Sequence, residues 1–143
     1  TGTGIYHSEY NRNKDSTVKF LQIWVFPNKK NVTPRYDQIT LDVADRHNQL
    51  QQILSPNPDD SGVWIHQDAW FHLGKFDQDF STNYAIKKAG NGVYAFVLAG
   101  SFEIDGQSLS SRDGLGIRGA ETFTLKALAA DAEILLLDVP MQI

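Results

Sequence analysis

The chain predicts an all-β fold, an antiparallel sandwich or barrel, and three observations predict it. From Gly62 onward nine short β-type segments recur between turn residues, a density that belongs to antiparallel architecture. Asp105-Gly106 stands between Phe102 and Ile104 on one side and Leu109 on the other, a two-residue hairpin turn whose central residues both tolerate positive φ. Phe123, Leu125 and Ala127 alternate with Thr122, Thr124 and Lys126, so one face of that strand is core and the other meets water.

Taken in order, residues 19–27 are β-branched and aromatic and apolar on both parities, which predicts a central strand ended by Pro27. The polar, proline-containing stretch 28–34 follows as a connecting loop. Residues 45–54 contain good helix formers but too few apolar positions for an amphipathic stripe, so helix and non-helix both stay open there. Ser55-Pro56-Asn57-Pro58-Asp59-Asp60-Ser61-Gly62 is the strongest turn signal and the best internal boundary. The β-type segments beyond it cover 63–66, 69–76, 84–87, 93–99, 101–104, 107–109, 115–118, 122–128 and 133–139, and 122–140 reads as a closing two-stranded hairpin. Trp24, Phe26, Trp64, Trp70, Phe71 and Phe96 are expected in the core, because large rings dominate burial in barrels.

A chain of 143 residues accommodates one compact domain, and its 41% hydrophobic and 21% charged residues exclude a disordered or low-complexity polymer. Thirteen basic against seventeen acidic residues give a net charge of −4, with no basic excess in either half, so direct binding to a nucleic-acid backbone is not expected. The longest apolar runs are too short to cross a bilayer, so no membrane partner is expected. Absence of cysteine excludes disulfides, thiolate metal sites and cysteine nucleophiles. With no secretory apolar region at its front, the chain is expected in the cytoplasm. It opens at Thr1 and its single methionine is Met141, which raises the expectation of a processed or trimmed product or a fragment.

His7-Ser8-Glu9 is the sharpest chemical constellation. On extended backbone, side chains two apart project from one face, so an imidazole and a carboxylate at this spacing grip one cation from the same side. Gly2 and Gly4 permit close-packed backbone just before the pair, and Tyr6 and Tyr10 add bulk around it. Tight metal sites require three or four protein ligands, so two are half a site. His66 and His72 share parity, but Gln67-Asp68-Ala69 between them favours separate surface or hydrogen-bonded roles over a second metal site. His47 lies in a polar stretch and is expected to be solvated, and Gly114-Leu115-Gly116 lacks the following helix that a phosphate loop requires.

Three linked motifs then become recognisable: Thr1-Gly2-Thr3-Gly4-Ile5-Tyr6-His7-Ser8-Glu9-Tyr10-Asn11, Phe20-Leu21-Gln22-Ile23-Trp24-Val25-Phe26-Pro27 and Thr33-Pro34-Arg35-Tyr36-Asp37-Gln38. With Leu54-Ser55-Pro56, His66-Gln67-Asp68-Ala69 and the strand rhythm of 95–139, they resemble the pirin family over most of the chain. The resemblance implies a bicupin built of two cupin-type double-stranded β-helix (jelly-roll) barrels. One divalent transition metal sits in the first barrel, held by three histidines and a glutamate. His7 and Glu9 fall on the family's Gly-x-x-His-x-Glu segment, Glu9 doubling as a catalytic base; the upstream His-x-His pair has no counterpart here. Residues 1–40 are then expected to be the last strands of the metal-site cupin and 41–143 the C-terminal cupin. In the second barrel, the family's ligand positions fall near Lys87 to Ala89, Val93 and Phe123, so that barrel is expected to be metal-free.

The resemblance implies a metal-dependent quercetin 2,3-dioxygenase, a flavonol-cleaving enzyme that uses dioxygen, with this chain inactive alone. Iron is the first expectation for the metal, with manganese, nickel, copper and zinc as alternatives. The alternative function is a non-catalytic regulatory module of the transcriptional-cofactor kind that contacts proteins. A third reading is a structural cupin half that forms a homodimer, or associates with a missing N-terminal segment, by covering an apolar face.

Overall fold

A computed structural model describes residues 3–142; Thr1 and Gly2, part of the first motif, lie outside the described residues. One 3-10 turn, Ala44–Arg46, precedes ten strands: β1 Leu50–Ser55, β2 Val63–Trp64, β3 Trp70–Phe76, β4 Ser81–Ala85, β5 Asn91–Ala99, β6 Ser101–Ile104, β7 Gln107–Ser110, β8 Gly114–Ile117, β9 Thr122–Ala127 and β10 Ala132–Pro140. They form a six-stranded sheet in the order β2-β1-β3-β10-β5-β8 and a four-stranded sheet in the order β4-β9-β6-β7. Every ladder is antiparallel except β1 with β2. The all-β fold expected from the strand density is therefore present, and the nine expected segments each overlap a strand.

Core formation follows from strand period. In β9, Phe123, Leu125 and Ala127 point inward while Thr122 and Thr124 meet solvent. They face Ile134 and Leu136 of β10 and Val93, Ala95 and Val97 of β5 across the space between the sheets, all buried. Phe76 holds the middle, stacked on Phe80 at 5.6 Å and edge-on to Phe102 at 6.0 Å. Burying each such ring or branched side chain stabilises the fold by roughly 1.5–3 kcal/mol.

The chain changes sheets between β5 and β6, and Gly100 makes the corner. Its φ of 73° is left-handed, and a Cβ there would lie 2.9 Å from the Cα of Ala132. Both features require glycine. The Asp105-Gly106 turn forms as expected, with φ of 45° and 80°, and joins β6 to β7 in register. Thr124 donates its N–H to Asp105 Oδ1 at 3.1 Å, tying this turn to β9.

Three expectations are corrected. Residues 122–140 do not form a hairpin: β9 pairs with β4 and β6, whereas β10 pairs with β3 and β5 in the other sheet. A single turn at 128–131 between adjacent segments is compatible with either arrangement, and both strands gain more burial as central strands of separate sheets. Residues 45–54, open between helix and non-helix, become the 3-10 turn and β1.

No strand forms over 19–27; Trp24 is 80% and Phe26 77% exposed. An extended segment apolar on both faces needs ladder partners and cover on both sides, and the edge beside β1 is already taken by β2. The core expectation accordingly holds only for Phe71, while Trp64, Trp70 and Phe96 are half-buried.

Candidate metal centre

His7 and Glu9 lie on irregular, exposed backbone. Their side chains turn to the same side, with His7 Nε2 3.2 Å from Glu9 Oε1 and more than half of each side chain open to solvent. Around a transition metal with ligand bonds of about 2.1 Å, neighbouring ligand atoms of an octahedron stand about 3 Å apart. An imidazole nitrogen and a carboxylate oxygen at 3.2 Å therefore fit two adjacent coordination positions. Among the described residues no third histidine, aspartate or glutamate joins them, and no group of three such residues stands together elsewhere.

The segment that carries the pair is docked on the barrel through later residues. Thr3 donates its N–H to Val32 O at 3.2 Å. Arg35 lies over the Trp64 ring, 4.1 Å from its centroid, donates through Nη1 to Trp64 O, and pairs through Nη2 with Asp37 at 2.8 Å. His66 stands edge-on to the same indole at 4.9 Å and is half-buried. His72 sits apart from it because β2 ends at Trp64 and β3 begins at Trp70, with Gln67-Asp68-Ala69 between them. His47 is exposed, with Nε2 3.4 Å from Asp77 Oδ2.

Inside the barrel, Val93 and Phe123, two of the positions named from the resemblance, are buried apolar side chains. Beside them lies a polar cluster that the sequence reading missed. Asp138 of β10 is fully buried; its Oδ2 accepts the Tyr84 hydroxyl at 3.0 Å and the Lys87 N–H at 2.7 Å, and its Oδ1 accepts Asn91 Nδ2 at 2.7 Å. Three donors replace the hydration the carboxylate loses on burial.

His72 Nδ1 stands 3.3 Å from the Tyr84 oxygen, and since the tyrosine hydrogen is directed at Asp138, Nδ1 is the protonated nitrogen of a neutral ring. Burial, aided by the Lys87 ammonium, lowers the His72 imidazole to about 4. Burial and the Asp138 carboxylate push the Tyr84 phenol well above its ordinary range. The signal was available in parity: Asp138 shares the inward side of its strand with Ile134 and Leu136, and a charged residue at a core position needs partners.

Comparison with known proteins places these observations in a family. The quercetinase C-terminal cupin domain matches residues 52–139. Quercetin 2,3-dioxygenase of Escherichia coli strain K12 is 34% identical over 139 residues, which cover 97% of this chain and 58% of that protein. The crystal structure of YhhW from Escherichia coli superposes with a TM-score of 0.74 at 31% identity, over 82% of this chain and 48% of that one. A second structure, of bacterial pirin YhhW in complex with nickel(II), gives 0.71 at 31% identity over 80% and 47%. The chain spans a little over half the length of the curated relatives it matches. Among the described residues no helix is long and apolar enough to cross a membrane. The match over 52–139, supported by these relatives, shows that the chain belongs to the pirin family of cupin proteins.

Proposed function

We propose that this chain contributes His7 and Glu9 to the metal centre of a quercetin 2,3-dioxygenase, the other ligands coming from polypeptide outside residues 1–143. The observation that carries the reading is the 3.2 Å approach of His7 Nε2 to Glu9 Oε1, in a chain whose relatives are named for that activity. Residues 1–40 then belong to the metal-site cupin and 41–143 to the C-terminal one. A transition metal, when bound, supplies Lewis-acid chelation of the flavonol's neighbouring oxygens; a pirin relative crystallised with nickel(II) supports a metal of this class.

The chain's own residues do the rest. His7 would present an imidazole nitrogen to the cation. Glu9 presents one carboxylate oxygen beside it, and its second oxygen is free to accept the proton of the substrate hydroxyl. Because both groups stand more than half exposed, they acquire a water-poor setting only when a second surface covers them, and the chain alone is expected to be inactive.

The test is metal content and oxygen uptake with quercetin, measured on this chain and on the same chain fused to the upstream half of a nickel-binding relative. Stoichiometric metal and turnover in the fusion, lost in its His7→Ala form, is the expected result. Metal without turnover would favour the non-catalytic regulatory role, and no metal in either protein would exclude the site.

A further inference from the structure

The domain that matches the family, 52–139, supplies no ligand to the proposed centre, yet it touches the segment that does at a few well-defined places. Of residues 3–40 only Val25, Val32, Pro34 and Arg35 are sheltered from solvent; every other residue is exposed. The sheltered positions lie where the polar contacts run. Gln67 Nε2 donates to Phe26 O at 2.7 Å, and Asn28 donates its N–H to His66 O at 2.7 Å. Arg35 then covers the Trp64 ring at 4.1 Å and donates to the Trp64 carbonyl. From this docked stretch, Val32 O takes the N–H of Thr3, four residues before His7.

We propose that Arg35 is a positioning residue: its seat on Trp64, with the Gln67 and His66 contacts, latches residues 26–35 to the cupin barrel and through Val32 sets the backbone that presents His7 and Glu9. The inference rests on the reading of that pair as metal ligands.

The chemistry suits a latch. A planar guanidinium stacks on an indole while its edge nitrogens hydrogen-bond in plane, which an ammonium cannot do. Trp64 is itself braced by the edge of His66 at 4.9 Å. Asp37 holds the second guanidinium nitrogen at 2.8 Å, so the fork is oriented from both sides. Among the described polar contacts of this stretch with the barrel, loss of Arg35 leaves two hydrogen bonds, Gln67 to Phe26 and Asn28 to His66. A pair of ligands presented in only a fraction of molecules binds metal with an affinity reduced by that fraction.

The experiment uses the chain fused to the upstream half of a nickel-binding relative, since two ligands by themselves are half a site. Trypsin cleavage at Lys29-Lys30 reports release of the docked stretch, and Ni2+ titration calorimetry reports presentation of the ligands. For Arg35→Ala, cleavage is expected to be about tenfold faster and nickel affinity about tenfold weaker, with the thermal midpoint of the barrel unchanged. Arg35→Lys is expected to behave like Arg35→Ala, and Gln67→Leu to give the same two changes in smaller measure, which covers the case of poor folding at position 35.

Faster cleavage with unchanged nickel affinity would overturn the positioning role, and parental behaviour in both assays would overturn the latch. His7→Ala distinguishes the two readings: it is expected to lose nickel while keeping parental cleavage. Parental nickel binding in His7→Ala would overturn the ligand assignment, and the positioning role with it, while the cleavage arm would still report whether Arg35 docks the segment.

Discussion

The hydroxyl of Tyr84, on the four-stranded sheet, donates to Asp138 Oδ2 on the six-stranded sheet at 3.0 Å, a polar tie between the two layers that His72 Nδ1 joins at 3.3 Å. Tyr84 also tilts against Phe123 at 5.4 Å and meets His72 edge-on at 5.1 Å, so the same ring serves both the core and the cluster.

Removing one donor costs less than removing the acceptor they share. Tyr84→Phe keeps the ring and leaves Asp138 with two donors, and it is expected to lose about 1–2 kcal/mol of folding stability. Asp138→Ala strands the Tyr84, Lys87 and Asn91 donors at once and is expected to lose about 3 kcal/mol or more. Urea unfolding of both variants checks the order; equal losses would show that the tyrosine hydroxyl carries the whole cluster.

His72 makes the fold acid-sensitive. Its imidazole is held near 4 in the folded chain and has an ordinary value near 6.5 when unfolded. Between those values the unfolded state binds more protons, so stability is full above about pH 6.5 and declines as pH falls toward 4, by on the order of 3 kcal/mol at most. Denaturation midpoints at pH 7.5, 5.5 and 4.5 measure this slope. His72→Gln is expected to be less stable at pH 7.5 and to have a shallower slope, and an unaltered slope would assign the acid sensitivity to other groups.

Gly100 is expected to resist substitution. Gly100→Ala forces a left-handed φ of 73° on a residue with a Cβ and pushes that atom to 2.9 Å from Ala132, the buried first residue of β10. A loss of about 1–3 kcal/mol is expected, larger than for Gly106→Ala, where φ is 80° but nothing lies within 4 Å. Thermal unfolding of the two variants side by side separates strain from crowding.

Within the proposed metal centre, Glu9→Gln and Glu9→Ala divide ligation from proton transfer. The amide keeps an oxygen donor but accepts a proton poorly, so in the fusion with the upstream half it is expected to retain nickel within about tenfold while turnover falls about a hundredfold or more. Glu9→Ala is expected to lose both. Equal loss of nickel in the two variants would make Glu9 a ligand and nothing more.

Much of the barrel was legible in the residue pattern because strand period and turn chemistry are local. The alternation of 122–127 and the Asp105-Gly106 turn required no knowledge of the rest of the chain, and both are present as read. The closeness of His7 and Glu9 follows from their spacing of two along the chain, whereas their role as ligands rests on the proposal above. The polar cluster was not legible: His72, Tyr84, Asn91 and Asp138 come from four separated strands, and only the inward parity of Asp138 hinted at it.

The sequence by itself determined the all-β class, the position of most strands after Gly62 and the family, since these follow from side-chain alternation, turn residues and short motifs. Tertiary structure decided which strands are neighbours. It sent β9 and β10 to different sheets, left 19–27 without a ladder, and brought Arg35 onto Trp64. The reason is physical: a strand's period is set by its own backbone, whereas its partner is chosen by competition among distant segments for hydrogen bonds and for a place in one shared core.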